Sequence, residues 1–509
     1  MSPATVSLAL LLLLAGGVSA NRLGEPLQTP SVQDNGFQYG IYLDAGSTGT
    51  RIYIYKWDKR DFDSVPPVLT QIVGNTLLNE KLTPGISSFA ANPAGAVSNI
   101  KILLDAGIDK LKTEGITDHS TVPVFLGATA GMRMLDPHQV TAILKNIQAT
   151  VKASGFMYNA EWIRVLSGEQ EGVFGWISAN WMLHTFNGPS DKTFGALDLG
   201  GASTQVTFHP DEAILDGFFP LEVATTCHQL YTHSYLYYGN DQARYRVLDG
   251  LVDTPSLAKN VTTNPCFPTG YSSKGISPEH PDVIYVGSSN WEGCMAETKK
   301  LITDFQTTDK KDCLHSSHID CTFTGVYMPK LPENMDMVAV STFYLAWMFF
   351  GLEFGADKRS DDLDALQSKA ATICSMDKIQ FEAYAMKTLG NMDSKSYNFC
   401  TSAGYIHALL SVGYGFPTKN TPIRVVNKID GNDVEWTYGA MLYEINRLGW
   451  TYKPLIPHDS SSSLQGPLVG VSISLGVVSI VAIVAIVLLA RSGTCWKRQD
   501  QSESMYDRF

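Results

Sequence analysis

Basic charge is in short supply in this chain. Over 509 residues, 38 Lys and Arg stand against 50 Asp and Glu, a formal net charge of −12. That balance excludes loose, counterion-driven binding to nucleic acid or to an anionic lipid surface. A polyanionic ligand would need a built site, with backbone donors and a cation to hold it. Cysteine is also sparse: there are eight, and none precedes Cys227. No low-complexity block interrupts the chain ahead of the serine run at 460–463. The apolar stretch 6–18 is not preceded by a basic residue. Residues 467–490 contain no charged side chain at all.

These absences set an expected topology. The stretch 6–18, closed by the small-residue signal Val18-Ser19-Ala20, reads as a signal peptide over 1–20. It is short for a span, which needs about 20 residues; because its basic flank is missing, an uncleaved anchor is the alternative. The run 467–490 is long enough to cross a bilayer, and Arg491, Lys497 and Arg498 follow it, placing the tail 491–509 in the cytoplasm. Residues 453–466, with their serines, read as a juxtamembrane linker. The expectation is a single-pass type I membrane protein whose bulk lies outside the cell or in the secretory lumen. Cysteine usage agrees, since all but Cys495 fall in that part, where disulfides persist. Cys313-x-His315-x-x-His318-x-x-Cys321 can be drawn as a zinc site, but the oxidising compartment favours a disulfide. Asn260-Val261-Thr262 is a glycosylation sequon within reach of that machinery.

Two stretches carry the chemistry. Asp44-Ala45-Gly46-Ser47-Thr48-Gly49-Thr50 and Asp198-Leu199-Gly200-Gly201-Ala202-Ser203-Thr204 each follow an apolar run and lead into another. Each reads strand, Gly-rich turn, strand, with an Asp ending the incoming strand. Glycines let backbone N–H groups approach an anion closely, and the hydroxyls add donors. The Asp repels phosphate, so its natural partner is a divalent cation riding on that phosphate. One such loop alone reads as an ordinary hairpin turn; a matched pair would clamp a polyphosphate and its metal between two related lobes.

Between them lie Gly127-Ala128-Thr129-Ala130-Gly131-Met132-Arg133, a strand running into a small-residue turn, and Gly168-Glu169-Gln170-Glu171-Gly172, carboxylates at a helix start. A carboxylate there is electrostatically comfortable and placed to take a proton from water. On its own it reads as a helix cap. Strand-like segments at 122–127 and 162–166 alternate with helical ones at 137–154 and 172–184, the pattern of an α/β fold. A part outside the cytosol of roughly 440 residues suits two domains better than one.

Taken with Asp430-Gly431-Asn432-Asp433-Val434-Glu435-Trp436-Thr437-Tyr438-Gly439 near the end, these motifs resemble the ecto-nucleoside triphosphate diphosphohydrolases, the apyrase family of the actin/hexokinase/Hsp70 superfamily. The resemblance spans about 400 residues, nearly the whole of the part expected outside the cytosol. It implies two ribonuclease-H-like, actin-like lobes with a nucleotide cleft, 38–164 with 425–452 and 165–424. It implies hydrolysis of nucleoside tri- and diphosphates, ATP to ADP to AMP, by in-line attack of water. Glu171 then matches the general base, and Thr129, Ala130, Ser203 and Gln205 the groups around water and phosphoryl. Asp44 and Asp198 match the holders of Ca²⁺ or Mg²⁺. Gly46, Ser47, Thr48, Gly49, Thr50, Gly200, Gly201, Ala202 and Ser203 match the phosphate loops, Tyr344 an aromatic stacking on the base, and Trp436 an aromatic carried toward the cleft. Core packing is the alternative for Tyr344.

The resemblance also pairs Cys266 with Cys294, Cys313 with Cys321, and Cys374 with Cys400, leaving Cys227 either free or linking two chains as a homo-oligomer. The chain departs from many animal members in lacking early cysteines and in having Tyr237 where relatives have a cysteine. A secretory-pathway nucleoside diphosphatase for UDP or GDP, and a non-catalytic nucleotide-binding receptor, are the other readings. The presence of Glu171, Ser203 and Gln205 disfavours the receptor.

Overall fold

The computed structural model describes residues 36–58, 67–72, 81–187, 192–223, 226–252, 260–308 and 321–447. The expected signal peptide 1–20, linker, span 467–490 and tail lie outside them. Among the described residues no helix is long and apolar enough to cross a membrane.

Two sheets organise a mixed α/β fold. The first contains β1 (Phe37–Ala45), β2 (Thr50–Asp58), β3 (Thr70–Gln71), β4 (Val124–Ala128) and β5 (Ile163–Val165), in the order β3-β2-β1-β4-β5. The second contains β6 (Gly195–Leu199), β7 (Ser203–Phe208), β8 (Phe218–Val223), β9 (Thr226–Leu236), β10 (Met337–Ser341) and β11 (Ile423–Val425), in the order β11-β10-β6-β7-β9-β8. The pairing scheme repeats. In each sheet a strand ending near an Asp-bearing turn pairs antiparallel with the next strand, β1 with β2 and β6 with β7. On its other side it pairs parallel with a strand reached by a crossover, β1 with β4 and β6 with β10. Both Gly-rich turns therefore emerge at the carboxyl ends of β1 and β6, where crossover topology leaves a crevice.

Helices cover these sheets. On the first lie α1 (Ala96–Thr113), the short α2 (Ala130–Arg133) and α3 (Pro137–Ala153). The helix α3 starts at Asp136, which accepts from His138 N at 2.8 Å and shares a capping box with Gln139, with Pro137 at the first helical position. Its buried Ile143, Ile147 and Val151, spaced four residues apart, join the core under β1, β2 and β4.

Between the sheets sits α4 (Gly168–Met182), buried almost all round. It packs on β7 and β9 on one side and on the final helix on the other. Such two-sided burial explains its apolar sequence, which has no polar stripe. The second sheet continues into α5 (Thr342–Phe349), and α6 (Trp436–Arg447) closes the described chain. The approach of α6 to α4 depends on Gly439, where a Cβ would stand 2.1 Å from Phe174 O. The segment leading to α6 is tied to the first sheet by Tyr55 Oη with Thr437 Oγ1 at 2.9 Å and by Gln71 Nε2 donating to Asp433 Oδ2 at 3.2 Å. A further tie is the Arg164–Glu444 ion pair at 2.7 Å.

Disulfides join Cys266 to Cys294 and Cys374 to Cys400, with Cα separations of 4.7 and 5.7 Å. Cys227 and Cys321 are each disulfide-bonded as well. The reading of Cys227 as an odd thiol is thereby corrected, because order along a chain does not fix which cysteines meet in space. The bonded state of Cys321 also removes it as a zinc ligand; Cys313 lies outside the described residues. Asn260 is exposed, as its sequon requires.

Both located bridges sit in the core beneath the second sheet, and the core of the first sheet contains no cysteine. Bridges closing loops of this size typically contribute about 2–4 kcal/mol each. Reduction should therefore lower hydrogen-exchange protection around α5 and β10 well before that of β1, β2 and β4. Equal loss in both sheets would count against this account.

Candidate active site

The two Gly-rich turns face each other. A Cβ on Gly201 would stand 2.9 Å from Ser47 Oγ and 2.8 Å from Asp241 Oδ2, so the second turn lies close against the first and a side chain there would have to displace one of these two. Gly46, Ser47, Thr48 and Gly49 form the first turn. Thr48 is exposed and hydrogen-bonds Lys81 Nζ. Thr50 is fully buried, its backbone N donating to Leu82 O at 2.9 Å. In the second turn Gly200 N donates to Ser203 O at 3.0 Å. The carbonyls of Gly200 and Gly201 accept from Asn240 N at 2.8 Å and Asp241 N at 2.9 Å, while Ala202 is buried.

Beside the turns a buried polar network gathers residues from four segments. Ser167 caps α4 in a capping box with Gln170 and so fixes the first turn of that helix. There Glu171, 8% exposed, accepts on Oε2 from Arg133 Nη2 at 2.7 Å and from Gln205 Nε2 at 3.2 Å. Arg133 also donates to Ser203 Oγ at 3.2 Å. Gln205 also donates to Ser203 Oγ at 2.7 Å and Ser234 Oγ at 2.9 Å. Because both bonds to Glu171 fall on Oε2, its Oε1 is the oxygen left to receive a proton. Thr129 and Ala130 are buried at the end of β4, and Thr129 N donates to Ala45 O at 3.2 Å, stitching this turn to the first loop.

The carboxylates feel one another. Burial pushes Glu171 up to about 8, with Arg133 opposing the shift and the charges of Asp198 and Asp44 adding to it. Burial likewise pushes Asp44 up to about 6; Arg51, 3.7 Å away, opposes and Asp198 adds. Burial also raises Asp198, against hydrogen bonds from Ser341 and the Leu199 backbone. Asp198 Oδ1 has no hydrogen-bond partner. An orphaned buried carboxylate oxygen beside a second carboxylate is a hard-oxygen donor set of the kind that suits Ca²⁺ or Mg²⁺.

Raised carboxyl pKa values mean that the cation-free folded state binds more protons than the unfolded chain between about pH 4.5 and 8. Its stability should therefore fall as pH rises through that window. In chelator, Tm should drop from pH 5 to pH 8, and added divalent cation should restore more at pH 8 than at pH 5. A Tm that rises with pH in chelator would refute the linkage.

The expected aromatics are placed differently from one another. Tyr344, half-buried on α5, presents its ring edge-on to Phe354 at 5.3 Å. Trp436 is 5% exposed, edge-on to Tyr42 at 5.4 Å and packed over Gly127. It floors the cleft and has no open face for a base to stack on.

Sequence reasoning assigned no role to Arg133, Ser341, Lys81 or Glu435. Arg133 stood inside a quoted motif, which was the signal available. Ser341 adopts φ 61°, a left-handed conformation unusual for a residue with a side chain, and it holds Asp198.

A family model, the GDA1/CD39 (nucleoside phosphatase) family, matches residues 31–460. The chain belongs to this family. Hydrolysis of nucleoside phosphates is thus its chemistry. Among similar proteins, ectonucleoside triphosphate diphosphohydrolase 2 of Gallus gallus is 32% identical over 447 residues, covering 81% of this chain and 84% of the relative. Ectonucleoside triphosphate diphosphohydrolase 1 of Bos taurus is 30% identical over 534 residues, covering 96% and 94%. A crystal structure of nucleoside triphosphate hydrolases from Neospora caninum superposes with TM-score 0.59 at 14% identity, over 81% of this chain and 92% of that one, a likeness of fold.

Proposed function

We propose that this family member removes terminal phosphates from extracellular or lumenal nucleoside tri- and diphosphates, ATP to ADP to AMP, by in-line attack of a water deprotonated by Glu171. The observation that carries the proposal is the Glu171 carboxylate, held by Arg133 and Gln205 inside the cleft that both Gly-rich turns border. In this reading Oε1 of Glu171 takes the proton from water. Ser203 and Gln205 orient that water, with Thr129 and Ala130 lining the position of the transferred phosphoryl. Backbone N–H groups of residues 46–49 and 200–202 meet the phosphate oxygens. Asp44 and Asp198 would hold Ca²⁺ or Mg²⁺, which when bound offsets charge on those oxygens. Tyr344 offers its half-exposed ring to the base.

The lobes are read as 38–164 with 425–452, and 165–424, each ribonuclease-H-like. The C-terminal span 467–490 would anchor the ectodomain as a type I protein. Hydrolysis of ATP, ADP, UDP and GDP by the purified protein, with Ca²⁺ or Mg²⁺, tests the reading. Turnover of ATP and ADP supports it. Turnover confined to UDP and GDP would replace it with a secretory-pathway diphosphatase, and binding without hydrolysis would replace it with a receptor.

A further inference from the structure

A cation with no role in the scheme above stands where the two Gly-rich turns meet. Lys81 precedes Leu82, whose N–H and carbonyl pair with the carbonyl and N–H of Thr50 at 2.9 Å each. Its backbone is thereby fixed beside the end of the first turn. The half-buried side chain lies across Gly49, where a Cβ would stand 2.5 Å from Lys81 Cγ and 2.6 Å from Leu82 O. The ammonium donates to Thr48 Oγ1. Thr48 in turn touches the second turn, its Cγ2 standing 3.5 Å from where a Cβ on Gly201 would lie. The charge is thus delivered to the junction of the turns. Arg51 and Arg133, the cations nearest it in the site, are each spent on a carboxylate, Asp44 at 3.7 Å and Glu171 at 2.7 Å. Among the described residues Lys81 forms no ion pair, and its partner Thr48 is neutral. An ammonium has three N–H donors, so two remain after Thr48. Burial and the Arg51 charge hold it below the usual lysine range, against the pull of Asp241 and Asp44. A phosphate oxygen is the partner that such a group lacks.

We propose that Lys81 is a further substrate-binding residue, whose ammonium takes an oxygen of the outer phosphates of a nucleoside di- or triphosphate where the two turns meet. The inference rests on the proposed reading of these turns as phosphate loops, and it adds a side-chain cation to their backbone donors. AMP, whose single phosphate adjoins the sugar, has no outer phosphate to offer. Lys81 therefore separates substrate from end product, strengthening the hold on ATP and ADP and leaving AMP free to depart. A hydrogen bond to a charged group changes affinity by about 10–100-fold. Lys81→Met keeps the stem over Gly49 and removes the charge. It should raise the Kd for a nucleoside triphosphate analogue by about tenfold or more and leave that for AMP as in the wild type. Lys81→Arg should recover most of the loss. In turnover, KM for ATP and ADP should rise in Lys81→Met by about the same factor, with kcat within a few-fold, as for a contact made in the ground state.

The measurement is calorimetric titration of the full chain, in excess Ca²⁺, with adenosine 5′-(β,γ-imido)triphosphate and separately with AMP, on variants matched to wild type by circular dichroism and Tm. Should Lys81→Met not fold, Lys81→Gln is read in its place. Weakened binding of the imidotriphosphate alone, with recovery in Lys81→Arg, supports the proposal. Equal weakening of AMP, or a loss that Lys81→Arg shares in full, assigns Lys81 to the shape of the turn and overturns it. Wild-type affinity for the imidotriphosphate in the charge-removing variant overturns it and leaves the function intact. Failure of the wild type itself to bind the imidotriphosphate overturns the phosphate-loop reading and this proposal together.

Discussion

Glu171→Gln should lower kcat by about 10²–10⁴-fold while nucleotide affinity stays within a few-fold. The substitution keeps the size of the side chain and an oxygen to accept from Arg133 and Gln205, but it removes the basic oxygen. In the proposed reading nucleotide affinity resides in the Gly-rich turns, which the substitution does not touch. The pH profile gives a second readout. With burial pushing Glu171 up to about 8, kcat/KM of the wild type should climb with pH toward a plateau. Glu171→Gln should flatten that limb. Glu169→Gln is the internal control: it alters local charge two residues away, on a half-buried side chain that faces His233 and not the Arg133–Gln205 pair. If Glu171 were only a residue of the first helical turn, its loss would cost about 1 kcal/mol of stability with near-normal turnover per folded molecule. Near-wild-type kcat in Glu171→Gln, or a larger loss in Glu169→Gln, would sink the assignment.

Local chemistry made much of this site legible in the sequence. Asp44 and Asp198 each end an apolar run before a Gly-rich turn, and the repeat of that pattern was enough to expect two facing loops. The carboxylates Glu169 and Glu171 marked a helix start in the sequence, although the helix begins at Gly168, ahead of the expected 172. Groups that act only through tertiary placement left no such mark. Arg133 is one basic residue among many until α2 and α4 bring it 2.7 Å from Glu171. Ser341 has an unremarkable identity and an unusual backbone, and a left-handed φ cannot be read from a serine. The order of cysteines likewise misled at Cys227, which is disulfide-bonded, since order along the chain does not decide which thiols meet.

Chelation should abolish turnover, and the reason lies in charge balance around Asp44 and Asp198. Asp44 is buried and Asp198 half-buried near strand ends, desolvation raises both carboxyls, and Asp198 adds to the shift on Asp44. Placing a polyphosphate beside them without a cation would bring like charges together in a medium that screens poorly. Arg51 stands 3.7 Å from Asp44 and Lys81 reaches Thr48, so one cationic side chain on each flank partly offsets the field. In EDTA, hydrolysis should fall to background and return when Ca²⁺ or Mg²⁺ is added in excess. Asp44→Asn or Asp198→Asn removes one of the two charges proposed to hold the cation and also some of the repulsion in the cation-free state. Each variant should therefore need about 10–100-fold more cation for half-maximal rate, while its Tm in chelator matches or exceeds that of the wild type. That pairing of weaker activity with undiminished cation-free stability separates a ligand from a structural residue, whose loss would lower both. Full turnover in EDTA, or an Asp44→Asn variant that is unstable in chelator yet normal in cation response, would show that the carboxylates serve the fold and not the metal.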